Sequence, residues 1–243
     1  MKFGKLIGIG NTASVYEWEE GKVLKLFHKE YPDEAVENEY RNAMLIRDME
    51  FAKPKIYETI SYEGRKGIIY DKIEGESLLD WVMRTQDVQQ CASYMATLHK
   101  TIVQNTICSV VDYKDFLKQF IPQTSLPAEE QDNLLQMIDQ LPNGNTLCHG
   151  DFHPGNIILS AGDAYIIDFM NICHGDYLYD VARTVLLVEY TPVPPEVEDK
   201  EMILSLKKSL TDLYLSYMNV TREMIKDYLT VLIAVRKGEC PNE

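Results

Sequence analysis

No stretch of this sequence approaches the ~20 consecutive apolar residues that a membrane-spanning helix needs, so a helical membrane protein is not expected. Its first residues, Met1-Lys2-Phe3-Gly4-Lys5-Leu6-Ile7, make a poor signal peptide, because the apolar stretch is short and glycines break it. A cytoplasmic protein without a membrane partner is the expectation. Cysteine is scarce and scattered. The five thiols, Cys91, Cys108, Cys148, Cys173 and Cys240, include no C-x-x-C pair, which argues against a zinc site or a redox motif and for buried free thiols. Positive charge is short as well. The 24 Lys and Arg are outnumbered by 38 Asp and Glu, a net charge of −14, so a nucleic-acid backbone is excluded as the expected partner. Internal repeats and low-complexity segments are also missing.

What is present is an ordinary globular composition, 45% apolar and 26% charged in 243 residues, long enough for one large domain or two small lobes with a real core. The charge is unevenly spread. Residues 1–75 carry 12 basic and 14 acidic side chains, and residues 76–243 carry 12 and 24. The acidic remainder suits a cationic substrate, or equally a solvated surface that aids solubility. A monomer or weak dimer is expected.

The first 70 or so residues read as strands around one helix. Phe3 to Ile9, Ser14 to Trp18 and Val23 to Phe27 have strand character, with Glu20-Gly21 as a turn. Pro32-Asp33 opens a helix with an apolar stripe through Val36, Tyr40, Ala43 and Ile46. Lys55 to Ser61 and Lys66 to Ile73 are strands about the turn Glu63-Gly64. Beyond Gly75 the periodicity becomes helical: Ser77 to Arg84, Val88 to Val103, Asp112 to Phe120 and Ala128 to Leu141. Two short apolar runs, Asn156 to Leu159 and Tyr165 to Asp168, flank a hairpin turn at Ala161-Gly162-Asp163. Tyr177 to Tyr190 is helical, Thr191 to Pro195 is a Pro-rich break, and helices over about Glu198 to Met218 and Thr221 to Lys237 follow, the last with Thr221 as its N-cap. The layout is α+β in two lobes, residues 1–74 and 75–243, with a hinge near 70–75.

Five features carry chemistry. His149-Gly150-Asp151-Phe152-His153-Pro154-Gly155-Asn156 has the form H-x-D-x-x-x-x-N. Phosphoryl transfer to a hydroxyl needs a proton acceptor and oxygen ligands for Mg²⁺, and Asp151 and Asn156 supply one of each at the kinase-loop spacing. His149 is expected to brace the loop. Asp168, 12 residues after Asn156 at the end of an apolar run, is a second Mg²⁺ ligand, since that ion favours one or two carboxylates with phosphate and water. Gly8-Ile9-Gly10-Asn11-Thr12-Ala13-Ser14-Val15 resembles G-x-G-x-x-G-x-V with Ala13 at the third glycine, and a strand rather than a Rossmann helix follows it. Gly8, Gly10, Asn11, Thr12, Ala13 and Ser14 are therefore candidate phosphate-contacting positions. Lys25 stands alone in the apolar run Val23-Leu24-Lys25-Leu26 and needs a buried partner. Glu39 is the preferred one and Glu37 the near alternative. In the hinge, the Asp71 carbonyl and the Ile73 amide are candidates for holding adenine.

Together these residues resemble the aminoglycoside phosphotransferase and choline kinase-like family, from Gly8 to about Arg183. The strongest stretch is His149 to Leu159 followed by Ile166-Ile167-Asp168-Phe169. Gly150 stands where protein kinases usually carry Arg, and Met170 where they carry Gly, so the likeness is to the small-molecule branch. The resemblance implies a protein-kinase-like fold, with a small antiparallel sheet and one helix in the first lobe and a larger, mainly helical second lobe. It implies ATP with Mg²⁺ as cofactors, GTP not being excluded, and a small-molecule hydroxyl as acceptor, aminoglycoside- or choline-like. Gly175-Asp176-Tyr177-Leu178-Tyr179-Asp180 is similar to the family's Gly-Asp-x-x-x-Asp segment. Asp176 is expected to cap a helix and Asp180 to brace the catalytic loop. A nucleotide-binding regulatory protein, or a kinase acting on a sugar or protein hydroxyl, are the rival readings. The seven residues between Asp168 and Asp176 leave no room for a peptide-docking activation segment.

Overall fold

A computed structural model describes residues 4–193, 195 and 198–240. Phe3, the expected start of the first strand, and Pro194, within the Pro-rich break, lie outside them. In chain order the elements are β1 (Leu6–Ile9), β2 (Ala13–Glu17), β3 (Lys22–Phe27), α1 (Asp33–Leu45), β4 (Ile56–Tyr62), β5 (Arg65–Asp71) and β6 (Glu76–Ser77). There follow α2 (Leu78–Thr85), α3 (Val88–Val103), α4 (Tyr113–Lys118), α5 (Ala128–Gln140), β7 (Thr146–Cys148), β8 (Ile157–Ser160), β9 (Asp163–Ile166) and β10 (Cys173–Gly175). The chain continues through α6 (Tyr177–Val185), α7 (Lys200–Met218) and α8 (Lys226–Glu239). The described residues fall into two compact units, one within Met1–Ser77 and Ile157–Asn171, the other within Leu78–Asn156 and Ile172–Glu243.

The first unit is built on an antiparallel sheet in the order β1-β2-β3-β5-β4. Successive side chains of a strand point to opposite faces, and β3 uses both. Leu24 and Leu26 join Ile69 in a cluster on one face. Phe27 joins Ala13, Val36, Ala43, Ile56 and Ile68 on the other, where α1 packs. Lys25 stands two residues before Phe27 and so shares the helix-facing side. On α1 the buried residues are Val36, Glu39, Asn42 and Ala43, a stripe at helical spacing that puts Glu39 among apolar neighbours. Glu63 and Gly64, both with positive φ, form the two-residue turn from β4 to β5, the conformation whose twist matches a hairpin.

The unit also holds a three-stranded sheet, β6-β8-β9. Its hairpin turns at Ala161 and Gly162, again both with positive φ. Gly75, just before β6, lies so close to β8 that an added Cβ would sit 2.0 Å from the Leu159 carbonyl oxygen. One expectation is corrected here. The strand after the hairpin stops at Ile166 and does not run on to Asp168. Asp168 has φ 65°, and a left-handed residue cannot continue an extended strand.

The second unit is mainly helical. Asp87, Asp112, Asp176 and Asp199 each accept a backbone N–H in the first turn of α3, α4, α6 and α7, satisfying donors that a helix start leaves open. α3 packs on α7, and α6 on α8. Past Val185 the expected long helix becomes a π-helical segment, Leu186–Tyr190. α8 begins at Lys226 rather than near Thr221, whose hydroxyl instead accepts the Met224 N–H across the preceding turn. Two short strands that periodicity does not reveal, β7 and β10, pair antiparallel with Cys148 opposite Cys173. Among the described residues no helix is long and apolar enough to cross a membrane.

Candidate functional site

In the second unit, β7 delivers the chain into the loop that starts at His149. Gly150 has φ 73°, a conformation that glycine adopts without strain. Asp180, one turn into α6 and fully buried, accepts the N–H of His149 at 2.6 Å and of Gly150 at 2.9 Å. Burial works against its charge, but His99, the nearby His149 and the Gly150 amide outweigh that and hold the carboxyl below its usual range. His99 reaches the same carboxylate through Nε2 at 2.9 Å and the Tyr214 hydroxyl through Nδ1 at 2.5 Å. The His99 ring thus links Asp180 to Tyr214. Arg183 donates through Nε to the Gly150 carbonyl and through its terminal nitrogens to the Glu239 carboxylate.

These bonds determine where Asp151 sits. Its backbone N–H meets His149 Nδ1 at 3.2 Å. Phe152 is buried, with the His99 ring 4.4 Å from its own and the His149 ring edge-on at 5.8 Å. Asn156, in the 3₁₀ turn Pro154–Asn156, donates its amide group to the Asp151 carbonyl at 2.9 Å and to the Asp151 carboxylate at 3.1 Å. The amide nitrogen is thus engaged, and the oxygen is the end of Asn156 suited to a hard cation.

In the first unit, Lys25 Nζ donates to both carboxylate oxygens of Glu39, at 2.8 and 3.0 Å, and to Asp168 at 3.0 Å. Glu39 is 1% exposed and Lys25 14%. Burial disfavours the ammonium, but the Asp168 and Glu39 carboxylates hold it well above the ordinary lysine range. Burial pushes the Glu39 carboxyl up while Lys25 pulls against it. Glu37 contacts Lys66, at 3.7 Å. The Tyr70 hydroxyl adds a third hydrogen bond to Glu39, at 3.0 Å.

A cavity of about 870 Å³ opens beside this group, within the usual size range of ligand sites. Val15 and Val23 of the sheet, Ile158 of β8, and Ile167 supply apolar wall; Lys25, Glu39 and Asp168 supply charge. Asp71 and Ile73 line it too. The Asp71 N–H donates to the Lys55 carbonyl at 2.9 Å, and its carboxylate accepts the Tyr57 hydroxyl at 2.7 Å.

The glycine-rich segment is the turn between β1 and β2, closed by the Gly10 N–H to the Ala13 carbonyl at 2.8 Å. Its neighbours Ile7 and Val15 line the cavity. Gly8, Gly10, Asn11, Thr12 and Ser14 are open to solvent in varying degree. Ala13 is different, because its methyl is 3% exposed and packs in the sheet–helix core. A backbone contact to phosphate is what that position can offer.

Residues 4–202 match the family described as the phosphotransferase enzyme family. The chain belongs to that family. Among solved structures similar to it is amicoumacin kinase hAmiN in complex with AMP-PNP, Ca²⁺ and Ami, at 18% identity and TM-score 0.63, covering 97% of this chain and 79% of that one. Another is the aminoglycoside phosphotransferase APH(3'')-Id from Streptomyces rimosus in complex with ADP and streptomycin, at 16% identity and TM-score 0.57, covering 90% and 88%. A third is a choline/ethanolamine kinase family protein from Mesorhizobium loti, at 13% identity and TM-score 0.58, covering 98% and 81%. No curated protein matches the chain. The fold of this phosphotransferase-family member is thus protein-kinase-like, as its motifs imply. Tyr70, His99, Tyr214 and Glu239 carry no motif. They matter through partners 31 to 115 positions away, and local patterning has no means of flagging them.

Proposed function

We propose that this protein transfers the γ-phosphoryl group of ATP to a hydroxyl of a small molecule. Asp151 accepts the hydroxyl proton, and Asn156 and Asp168 are the Mg²⁺ ligands. Lys25, held by Glu39, neutralises phosphate charge. The turn of Gly8, Gly10, Asn11, Thr12, Ala13 and Ser14 contacts the phosphates. The Asp71 carbonyl and Ile73 amide hold adenine. Residues 1–74 bind the nucleotide, and residues 75–243 carry the base, the metal ligands and the acceptor pocket.

The observation that carries this reading is the Lys25 ammonium shared between Glu39 and Asp168 on the wall of a nucleotide-sized cavity. A buried lysine facing two carboxylates leaves excess negative charge there, which a divalent cation held by Asp168 would offset. The donor set fits Mg²⁺. It consists of hard oxygen atoms, a carboxylate and an amide carbonyl. The Mg²⁺ would draw charge off the γ-phosphoryl group. The nucleotides and small molecules bound by the similar kinases add support, and the acidic excess of residues 76–243 favours a cationic acceptor.

The test is a screen of hydroxyl-bearing metabolites and aminoglycosides with γ-labelled ATP and Mg²⁺, with GTP as competing donor. Label transferred to an acceptor supports the reading. AMP-PNP binding without transfer to any acceptor or to water would leave a nucleotide-binding regulator in its place.

A further inference from the structure

The peptide plane that joins Gly150 to Asp151 is held at both of its polar ends. Its N–H, belonging to Asp151, meets His149 Nδ1 at 3.2 Å. Its carbonyl, belonging to Gly150, accepts from Arg183 Nε. A rotation of that plane moves the Asp151 side chain directly, and Gly150, without a Cβ and at φ 73°, offers little steric resistance to it. The Arg183 bond is therefore what stops the rotation from the carbonyl side.

Arg183 is 1% exposed. A buried guanidinium is stable only with a counter-charge and with its planar fork satisfied. Glu239 provides both, accepting from the two terminal nitrogens of Arg183, with Nη1 at 3.2 Å from Oε2. The Phe116 ring lies 5.3 Å from the guanidinium carbon and fixes its plane from the side. Glu239 is in the last turn of α8, and Arg236 one turn earlier braces it at 3.2 Å. That turn is seated closely: a Cβ on Gly238 would fall 2.2 Å from the Phe120 carbonyl oxygen. The carboxylate is thus delivered to Arg183 from a fixed position.

We infer that Glu239 is a positioning residue for Asp151, acting through Arg183 and the Gly150 carbonyl. The inference rests on the reading of Asp151 as the proton acceptor. It gives the last helix a part in phosphoryl transfer although no motif marks it. Without Glu239, Arg183 is a buried cation seeking another acceptor, and the Gly150 carbonyl loses its fixed donor.

The experiment compares wild type with Glu239→Gln, Glu239→Asp, Arg183→Met, Arg183→Met/Glu239→Gln and Arg236→Gln. Three quantities are read: Mg-ATP turnover with water as acceptor, AMP-PNP affinity by calorimetry, and amide exchange over residues 149–151. Misplacement of a reacting group by about 1 Å costs on the order of 100-fold. Glu239→Gln is therefore expected to lower turnover about 10- to 100-fold and to speed exchange at 149–151, with AMP-PNP affinity within about twofold. Glu239→Asp is expected to fall between Gln and wild type, and Arg236→Gln, which removes only the brace on Glu239, to lower turnover less than Glu239→Gln does. The double variant should turn over no more slowly than Arg183→Met, because Glu239 acts through Arg183. Unchanged turnover and exchange in Glu239→Gln, or losses that multiply in the double variant, overturn the inference. If Glu239→Gln fails to fold, Glu239→Asp decides by the same readouts. A wild type that does not turn over with water leaves the phosphotransferase reading to the acceptor screen, and the exchange data alone then decide the link from Glu239 to the loop.

Discussion

Asp180→Asn is the substitution whose cost the structure specifies most fully. The carboxylate accepts three bonds: from His149 N–H, from Gly150 N–H and from His99. Asparagine has the same shape but only one acceptor atom. One loop amide keeps its partner, while the other faces an NH₂ group, donor against donor. An orphaned buried donor costs about 1–3 kcal/mol, and the lost charge-assisted bond to His99 about 1.5–3 kcal/mol. With partial relaxation the sum is about 3–5 kcal/mol, a large share of the ~5–15 kcal/mol that holds a typical protein folded. For a chain of this size Tm falls about 2–4 °C per kcal/mol, so a drop of roughly 6–20 °C is expected in circular-dichroism melts at pH 7.

The same carboxylate sets a pH signature. Its folded pKa is depressed, so its contribution is fully present above the unfolded value near ~3.9 and is lost as pH falls through the lower folded value. The Tm gap between wild type and Asp180→Asn should stay constant from pH 7 to about 5 and close below about 4. Turnover of Mg-ATP should fall together with stability, since the loop amides are the groups left unpaired. A variant that melts within about 2 °C of wild type and keeps its turnover would refute the claim that Asp180 holds the loop.

Other substitutions separate the parts of the proposed site. Asp151→Asn should abolish transfer while AMP-PNP affinity stays within about twofold, because it removes the proton acceptor and leaves the nucleotide cavity intact; full turnover would sink the base assignment. Asp168→Ala should make AMP-PNP binding, followed by calorimetry, insensitive to added Mg²⁺, and an undiminished Mg²⁺ effect would remove Asp168 from the ligand set. Lys25→Met should weaken AMP-PNP binding by at least about tenfold, the worth of one charge-assisted bond, and should also lower Tm by leaving the buried Glu39 carboxylate without its cation. Gly75→Ala should cost about 1–3 kcal/mol of overpacking strain, seen as a lower Tm, because the new methyl meets the Leu159 carbonyl and not a movable side chain.

The fold was legible where a local rule has a single structural outcome. The apolar run Val23 to Phe27 after the turn at Glu20-Gly21 predicts a strand, and the helical stripe after Pro32 predicts α1. Together they place Lys25 and Glu39 toward one another before any contact is known. Asp176, read as the cap of a helix, opens α6. Legibility failed where length or long-range packing decides. β7 and β10 have three residues each, too few for a period to register. Thr221 has the chemistry of a cap and caps a turn, because the chain enters α8 five residues later. Membership of the β8–β9 hairpin in the first unit is set by its contacts, which sequence spacing does not encode.

The site divides along the same line. The groups proposed to touch nucleotide, metal or acceptor stand in short motifs, because phosphoryl transfer demands particular side chains at fixed spacings. The groups that hold them in place are dispersed. Tyr70 bears on Glu39; His99 and Tyr214 bear on Asp180; Arg183 and Glu239 bear on Gly150. Each is a polar group that burial compels to find a partner, and any fold that brings a suitable donor or acceptor alongside will satisfy it. Such partners can change helix without changing the chemistry. Asp168 lies between the two classes. Its place in the motif is readable, but its left-handed backbone, φ 65°, is not. A non-glycine residue held in that conformation costs about 1–3 kcal/mol and persists only where its surroundings over-determine it. Here the bond from Lys25 is part of that surrounding, so the lysine that would meet the phosphates also holds the proposed metal ligand in a conformation it would not adopt alone.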